Sequence, residues 1–135
     1  MAGQWAQDRF GAARVARLAT VDERGRAYLV PIVFALDAPV IYSSVDAKPK
    51  TTTALRRLAN IAANPQVSVL VDHYDEDWTQ LWWARADGLA RVHADGAAAI
   101  PRLAERYPQY RDLPPAGPFI AIHVERWSGW SAESG

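Results

Sequence analysis

The sequence predicts an α+β fold, a six-stranded, mostly antiparallel β-barrel with two or three helices inserted between strands. Three observations carry this expectation. Short β-branched and apolar runs bounded by turn residues recur along the chain. Two helix-like stretches, near 51–64 and 95–106, interrupt them. The elements do not alternate regularly between strand and helix, as a parallel sheet would require. With 135 residues, 50% hydrophobic and 22% charged, residues 1–135 have the composition of a single globular domain with one core.

Each element has a local justification. Trp5 to Ala16 can form a short helix with Trp5, Arg9, Ala12 and Ala13 along one side. Ala16 to Val21, the turn residues Asp22-Glu23-Arg24-Gly25 and the run Ala27 to Leu36 read as a β-hairpin. Asp37-Ala38-Pro39 turns the chain into a third strand, Val40 to Ser44. From near Thr51 a helix follows, with Leu55, Leu58, Ala59 and Ala62 at i, i+3, i+4, i+7 spacing, and Asn64-Pro65 ends it. Val67 to Val71 is a buried fourth strand, followed by the acidic loop Asp72 to Asp77. The fifth strand runs through Leu81 to Ala86, with Gly88 marking a bulge before Leu89 to Val92. Asp95 to Arg106 reads as a helix despite Pro101, Tyr107 to Pro118 as a loop, and Phe119 to Val124 as the last strand.

Composition excludes several functions. A formal net charge of zero, with acids and bases interspersed, gives no electrostatic footprint for nucleic acid or an anionic membrane. The absence of cysteine removes disulfides, thiolate catalysis and Cys-type metal sites. Asp72-His73-Tyr74-Asp75-Glu76-Asp77 matches neither an EF-hand nor a zincin, so no metal site is expected there. His93 and His123 stand alone in strand-like runs and read as structural imidazoles. No nucleophile elbow, Walker loop or GxGxxG occurs, and no catalytic side chain can be named. No basic region followed by an apolar stretch opens the chain, which reads as cytoplasmic and soluble.

The chemistry is concentrated around Val45 to Pro65. Lys48 and Lys50 are the only lysines in the chain, and they precede a helix whose positive end disfavours cations by about 0.3–1 kcal/mol each. An anion would remove that penalty. Strand-end hydroxyls at Tyr42, Ser43 and Ser44, the two ammonium groups, Thr51 and free backbone N–H groups could together surround a phosphate. Arg56 and Arg57 could hold further negative charge; the alternative is a solvated basic helix start. Trp82 and Trp83, adjacent on a strand, point to opposite faces, so one can fill the core while the other needs a helix cover, a second subunit or a planar ligand. Trp127 and Trp130 flank Gly129 and offer either flat walls for a ligand or a plug for the barrel.

In order along the chain, Arg17-Leu18-Ala19-Thr20-Val21, Gly25, Val30-Pro31-Ile32-Val33-Phe34, Ile41-Tyr42-Ser43, Lys48-Pro49-Lys50, Asn60 to Ser68 and Glu125-Arg126-Trp127-Ser128-Gly129 resemble the flavin and deazaflavin reductases of the pyridoxamine 5′-phosphate oxidase-like split β-barrel superfamily. The resemblance covers nearly the whole chain and implies an oxidoreductase. It implies phosphate binding at Tyr42, Ser43, Lys48 and Lys50, a ring lying against Val30, Pro31 and Ile32, Trp127 beside the cofactor, and a homodimer with the cofactor groove between subunits. The Lys-Pro-Lys loop, the Asp-His-Tyr-Asp-Glu-Asp-Trp segment and Leu-Trp-Trp are similar to the branch that uses coenzyme F420, whose anionic tail Lys48, Lys50, Arg56 and Arg57 would suit. The expected activity is hydride transfer between the deazaflavin and a conjugated or planar small-molecule acceptor. The alternatives are an FMN-dependent enzyme of the same fold and a non-catalytic module for a flavin or tetrapyrrole.

Overall fold

The computed structural model describes residues 2–45 and 52–132. Its strands are β1 (Ala16–Val21), β2 (Ala27–Ile32), β3 (Ala35–Asp37), β4 (Val40–Ser44), β5 (Gln66–His73), β6 (Trp82–His93) and β7 (Phe119–Ser131). Its helices are α1 (Ala2–Ala12), α2 (Thr52–Ala63), α3 (Ala99–Arg106) and α4 (Gln109–Asp112), with a 3₁₀ turn at Trp78–Gln80. The strands form one seven-stranded sheet in the order β2-β1-β5-β6-β7-β4-β3, and neighbours pair antiparallel throughout. The α+β antiparallel expectation therefore holds, with one strand more than expected.

The extra strand arises because the run Ala27 to Leu36 breaks at Val33 and Phe34. Side chains satisfy the backbone there where a ladder would otherwise have done so. Ser43 Oγ donates to the Val33 carbonyl at 2.8 Å. The Tyr107 hydroxyl accepts from the Phe34 N–H at 3.0 Å and lies 2.9 Å from the carbonyls of both Phe34 and Arg14, donating to one at a time. The break has a topological result. β2 and β3 are the two edges of the sheet, yet only two residues join them. Three peptide links span at most about 11 Å, so the sheet must curl until its edges face each other. That makes a barrel with a seam.

The main core fills the curl with Phe10, Leu18, Ile32, Phe34, Ile41, Val69, Val71, Ile120 and Ile122, and α1 covers one mouth through Ala6 and Phe10. A smaller cluster of Ala35, Ala99, Leu103 and Phe119 lies beneath α3. Pro101 is tolerated because it stands in the first turn of α3, where backbone N–H groups have no intrahelical partner. Gly88 does mark a bulge: Gly88 pairs with Val124 while Asp87 pairs with Arg126, so the extra residue is Glu125 of β7. A Cβ on Gly88 would stand 2.3 Å from the His123 carbonyl oxygen. Trp82 lies under α1, edge-on to Trp5 with Arg9 above its ring, whereas Trp83 points the other way beside Arg85.

The expected apolar stripe on α2 is rotated. Leu55 is 55% exposed and Ala59 and Ala62 are exposed, while Asn60 and Ile61 are buried. The cause is a buried hydrogen bond from the Asn60 amide to Thr20 Oγ1 at 3.1 Å, together with the insertion of Ile61 into the core. Among the described residues, no helix is long and apolar enough to cross a membrane.

Candidate functional site

The seam opens into a cavity of about 360 Å³ lined by Pro31, Ile32, Val33, Ser43, Ser44, Val45 and Arg57. Each wall has its source in the local structure. β2 ends at the seam and contributes Pro31 and Ile32, and the link that follows supplies Val33. β4 ends on the opposite side with Ser43 and Ser44. The rotation of α2 that buries Asn60 and Ile61 also turns Arg57 toward the seam, because residues three and four apart share a helix face. Arg56 is one residue, roughly 100°, around the helix.

One residue of this lining is chemically conspicuous. Ser44 Oγ is buried and, among the described residues, has no hydrogen-bond partner. Ser43, by contrast, is committed to the Val33 carbonyl. An orphaned buried hydroxyl costs about 1–3 kcal/mol, a cost that an acceptor entering the cavity would relieve. With the Arg57 guanidinium on the same lining, the polar part of the cavity favours an oxyanion. Pro31, Ile32, Val33 and Val45 form the apolar part. The residues present thus fit a molecule with an anionic end and a flat apolar body.

The structure brings together five of the residues expected from the sequence: Pro31, Ile32, Ser43, Ser44 and Arg57. Four others go elsewhere. Val30 alternates inward from Pro31 and packs on the main core. Tyr42 faces the opposite side of β4 from Ser43 and joins the cluster beneath α3. Arg56 lies over the Tyr28 ring, 5.1 Å from its centroid, donates to its hydroxyl and lines a separate hollow with Asp22, Arg24 and Arg26. Trp127 packs edge-on against Phe10 beneath α1, its ring centroid 5.2 Å away, so its bulk serves the core instead of the seam. Lys48, Lys50 and Thr51 lie outside the described residues. Two lining residues escaped sequence reasoning. Val33 lies in the break between β2 and β3, and Val45 immediately follows β4; its N–H donates to the Pro118 carbonyl at 2.8 Å.

Two carboxyls away from the seam are displaced from their ordinary range. Asp22 is held below it by accepting backbone N–H bonds, from Arg26 above all and also from Arg24. Asp77 is held below it by the hydroxyl and N–H of Thr79. Among the described residues, no group of three or more His, Asp or Glu side chains could hold a metal ion.

A curled antiparallel sheet with a ligand-sized seam defines a split-barrel protein. The pyridoxamine 5′-phosphate oxidase family model matches residues 4–131, and the chain belongs to that family. Solved structures agree on the fold. An FAD-binding protein from Mesorhizobium loti superposes with a TM-score of 0.74 at 23% identity, covering 96% of this chain and 92% of that one. A conserved hypothetical protein from Mycobacterium tuberculosis gives 0.71 at 20% identity, covering 98% and 86%. The heme storage protein HutZ from Vibrio cholerae gives 0.66 at 21% identity, covering 97% and 95%. No curated protein matches the chain.

Proposed function

We propose that this protein is an oxidoreductase that uses coenzyme F420 and moves a hydride between the deazaflavin and a conjugated or planar organic acceptor. The observation that carries the reading is the two-part lining of the seam, with Ser44 and Arg57 for an anion and Pro31, Ile32 and Val33 for a ring. When bound, the deazaflavin supplies the hydride chemistry, two electrons and one proton moved together. The residues of this chain bind and orient. The Arg57 guanidinium offsets phosphate charge, and the Ser44 hydroxyl donates to a phosphate oxygen. The apolar wall excludes water from the ring. Lys48 and Lys50, close in sequence to both β4 and α2, carry charge that would match a phosphodiester and its carboxylate tail, which favours F420 over FMN. A second copy of the chain closes the open side of the seam as a homodimer.

The test is equilibrium dialysis of purified, cofactor-free protein against F420 and, separately, FMN, repeated with Arg57→Gln. F420 is expected to bind more tightly than FMN, and the variant to weaken it at least tenfold, about 1.4 kcal/mol. Binding of neither would sink the proposal, and tighter binding of FMN would turn it into the flavin-dependent alternative. A second reading, tetrapyrrole holding without turnover, is favoured by the similarity to a heme storage protein; hemin binding with no F420 binding would select it.

A further inference from the structure

We propose that a second cavity, beneath the start of α3, binds a small aromatic molecule carrying an oxygen acceptor, such as a quinone. Strand register builds the pocket. Phe119, Ala121 and His123 alternate along one face of β7 and form its floor, with His123 about 13 Å from Phe119. Tyr42 stands beside Ala121 on one flank, because β4 pairs Tyr42 with Ala121. His93 stands beside Phe119 on the other, because β6 pairs His93 with Phe119. The segment Ala97 to Ala99 completes the lining, held by the Asp95 carboxylate, which accepts from the Ala97 N–H at 2.8 Å, and by the Ile100 N–H, which donates to the Gly96 carbonyl at 2.8 Å.

Size and chemistry select the ligand class. The cavity measures about 260 Å³. An apolar cavity of about 150 Å³ takes benzene, so this one has room for one ring or two fused rings. Apolar side chains make much of its wall, Phe119 and four alanines, of which Ala97 and Ala98 are exposed. Asp95 accepts from the Ala97 N–H through one carboxylate oxygen, and the hydrogen-bond donors that face a ligand are one phenol and two imidazoles, at Tyr42, His93 and His123. All three can donate a hydrogen bond. A carbonyl or phenolic oxygen at the edge of a ring suits them, and a fatty chain or a sugar does not.

The position links this pocket to the seam. Phe119 pairs directly with Ser44, so the floor of this pocket and the lining of the seam sit on adjacent strands, about 4.8 Å apart.

The test uses cofactor-free protein with 13C-labelled histidine, titrated with 1,4-naphthoquinone and followed by NMR of the imidazole Cε1–H groups. The chain has three histidines, and His73, stacked on Trp82, is the internal reference. Saturable shifts at His93 and His123 but not at His73 are expected. Ala98→Trp, placed at an exposed lining position, is expected to weaken binding at least tenfold with an unchanged circular dichroism spectrum. Tyr42→Phe is the second variant, expected to weaken binding while the cavity keeps its volume. Equal shifts at all three histidines, no saturable shift, or full affinity in both variants would overturn the pocket.

Discussion

Ser44→Ala is expected to move stability and cofactor affinity in opposite directions. In the cofactor-free protein the Ser44 hydroxyl is buried without a partner among the described residues, and burial of that kind costs about 1–3 kcal/mol. Alanine removes the oxygen and keeps the Cβ, so the free protein gains most of that amount. For a domain of this size the gain is a rise in Tm of about 3–10 °C. In the loaded protein the same hydroxyl meets a charged oxygen, an interaction of about 1.5–3 kcal/mol, so its loss weakens the cofactor roughly 10- to 150-fold. Urea denaturation of the cofactor-free protein gives the first quantity, and dialysis against F420 gives the second. A loss of stability in the free variant would show that Ser44 is already satisfied without a ligand. A gain in stability with unchanged affinity would show that the anion sits elsewhere. Either result refutes the reasoning.

Two further outcomes follow from the scaffold. Gly88→Ala would set a Cβ 2.3 Å from the His123 carbonyl oxygen and 2.9 Å from the Val124 Cα, both backbone atoms. Strands β6 and β7 must then part by about 1 Å, and the overpacking with its weakened ladder costs about 2–4 kcal/mol, read from the urea midpoint; a change below about 0.5 kcal/mol contradicts it. Asp22, its carboxyl held below the ordinary 3.8, accepts from the N–H groups of Arg26 at 2.9 Å and Arg24 at 2.8 Å. A depressed carboxyl stabilises the turn above the unfolded value and loses that contribution as pH falls through the folded one. Amide exchange at Arg24 and Arg26 should therefore accelerate in acid below 3.8, and should lose this acid dependence in Asp22→Asn.

Local chemistry made most of the elements legible. The turn at Asp22 to Gly25, the apolar run at Val67 to Val71 and Gly88 at the bulge are decided by neighbours in sequence, and each stands where it was expected. What sequence could not show was decided by residues far apart along the chain. The break at Val33 and Phe34 depends on Ser43 and Tyr107. The face of α2 depends on Thr20, which no helical periodicity reports. The same holds for the site. A run of hydroxyl and basic residues pointed to an anion, but strand alternation sends Tyr42 away from Ser43, and helical geometry separates Arg56 from Arg57. Trp127 belongs to the core because α1 lies over it, a tertiary fact.

The order of strands also bears on when the seam comes into being. Among the described residues, β7 is the strand that joins β6 to β4, so before it pairs the sheet consists of two pieces, β2-β1-β5-β6 and β4-β3. Pro31 and Ile32 belong to the first piece, Ser43 and Ser44 to the second. A ribosome delivers both pieces before it delivers the strand that unites them. The seam is therefore complete only once β7 has been made, and a ligand that binds only the closed form would draw the folding equilibrium toward it.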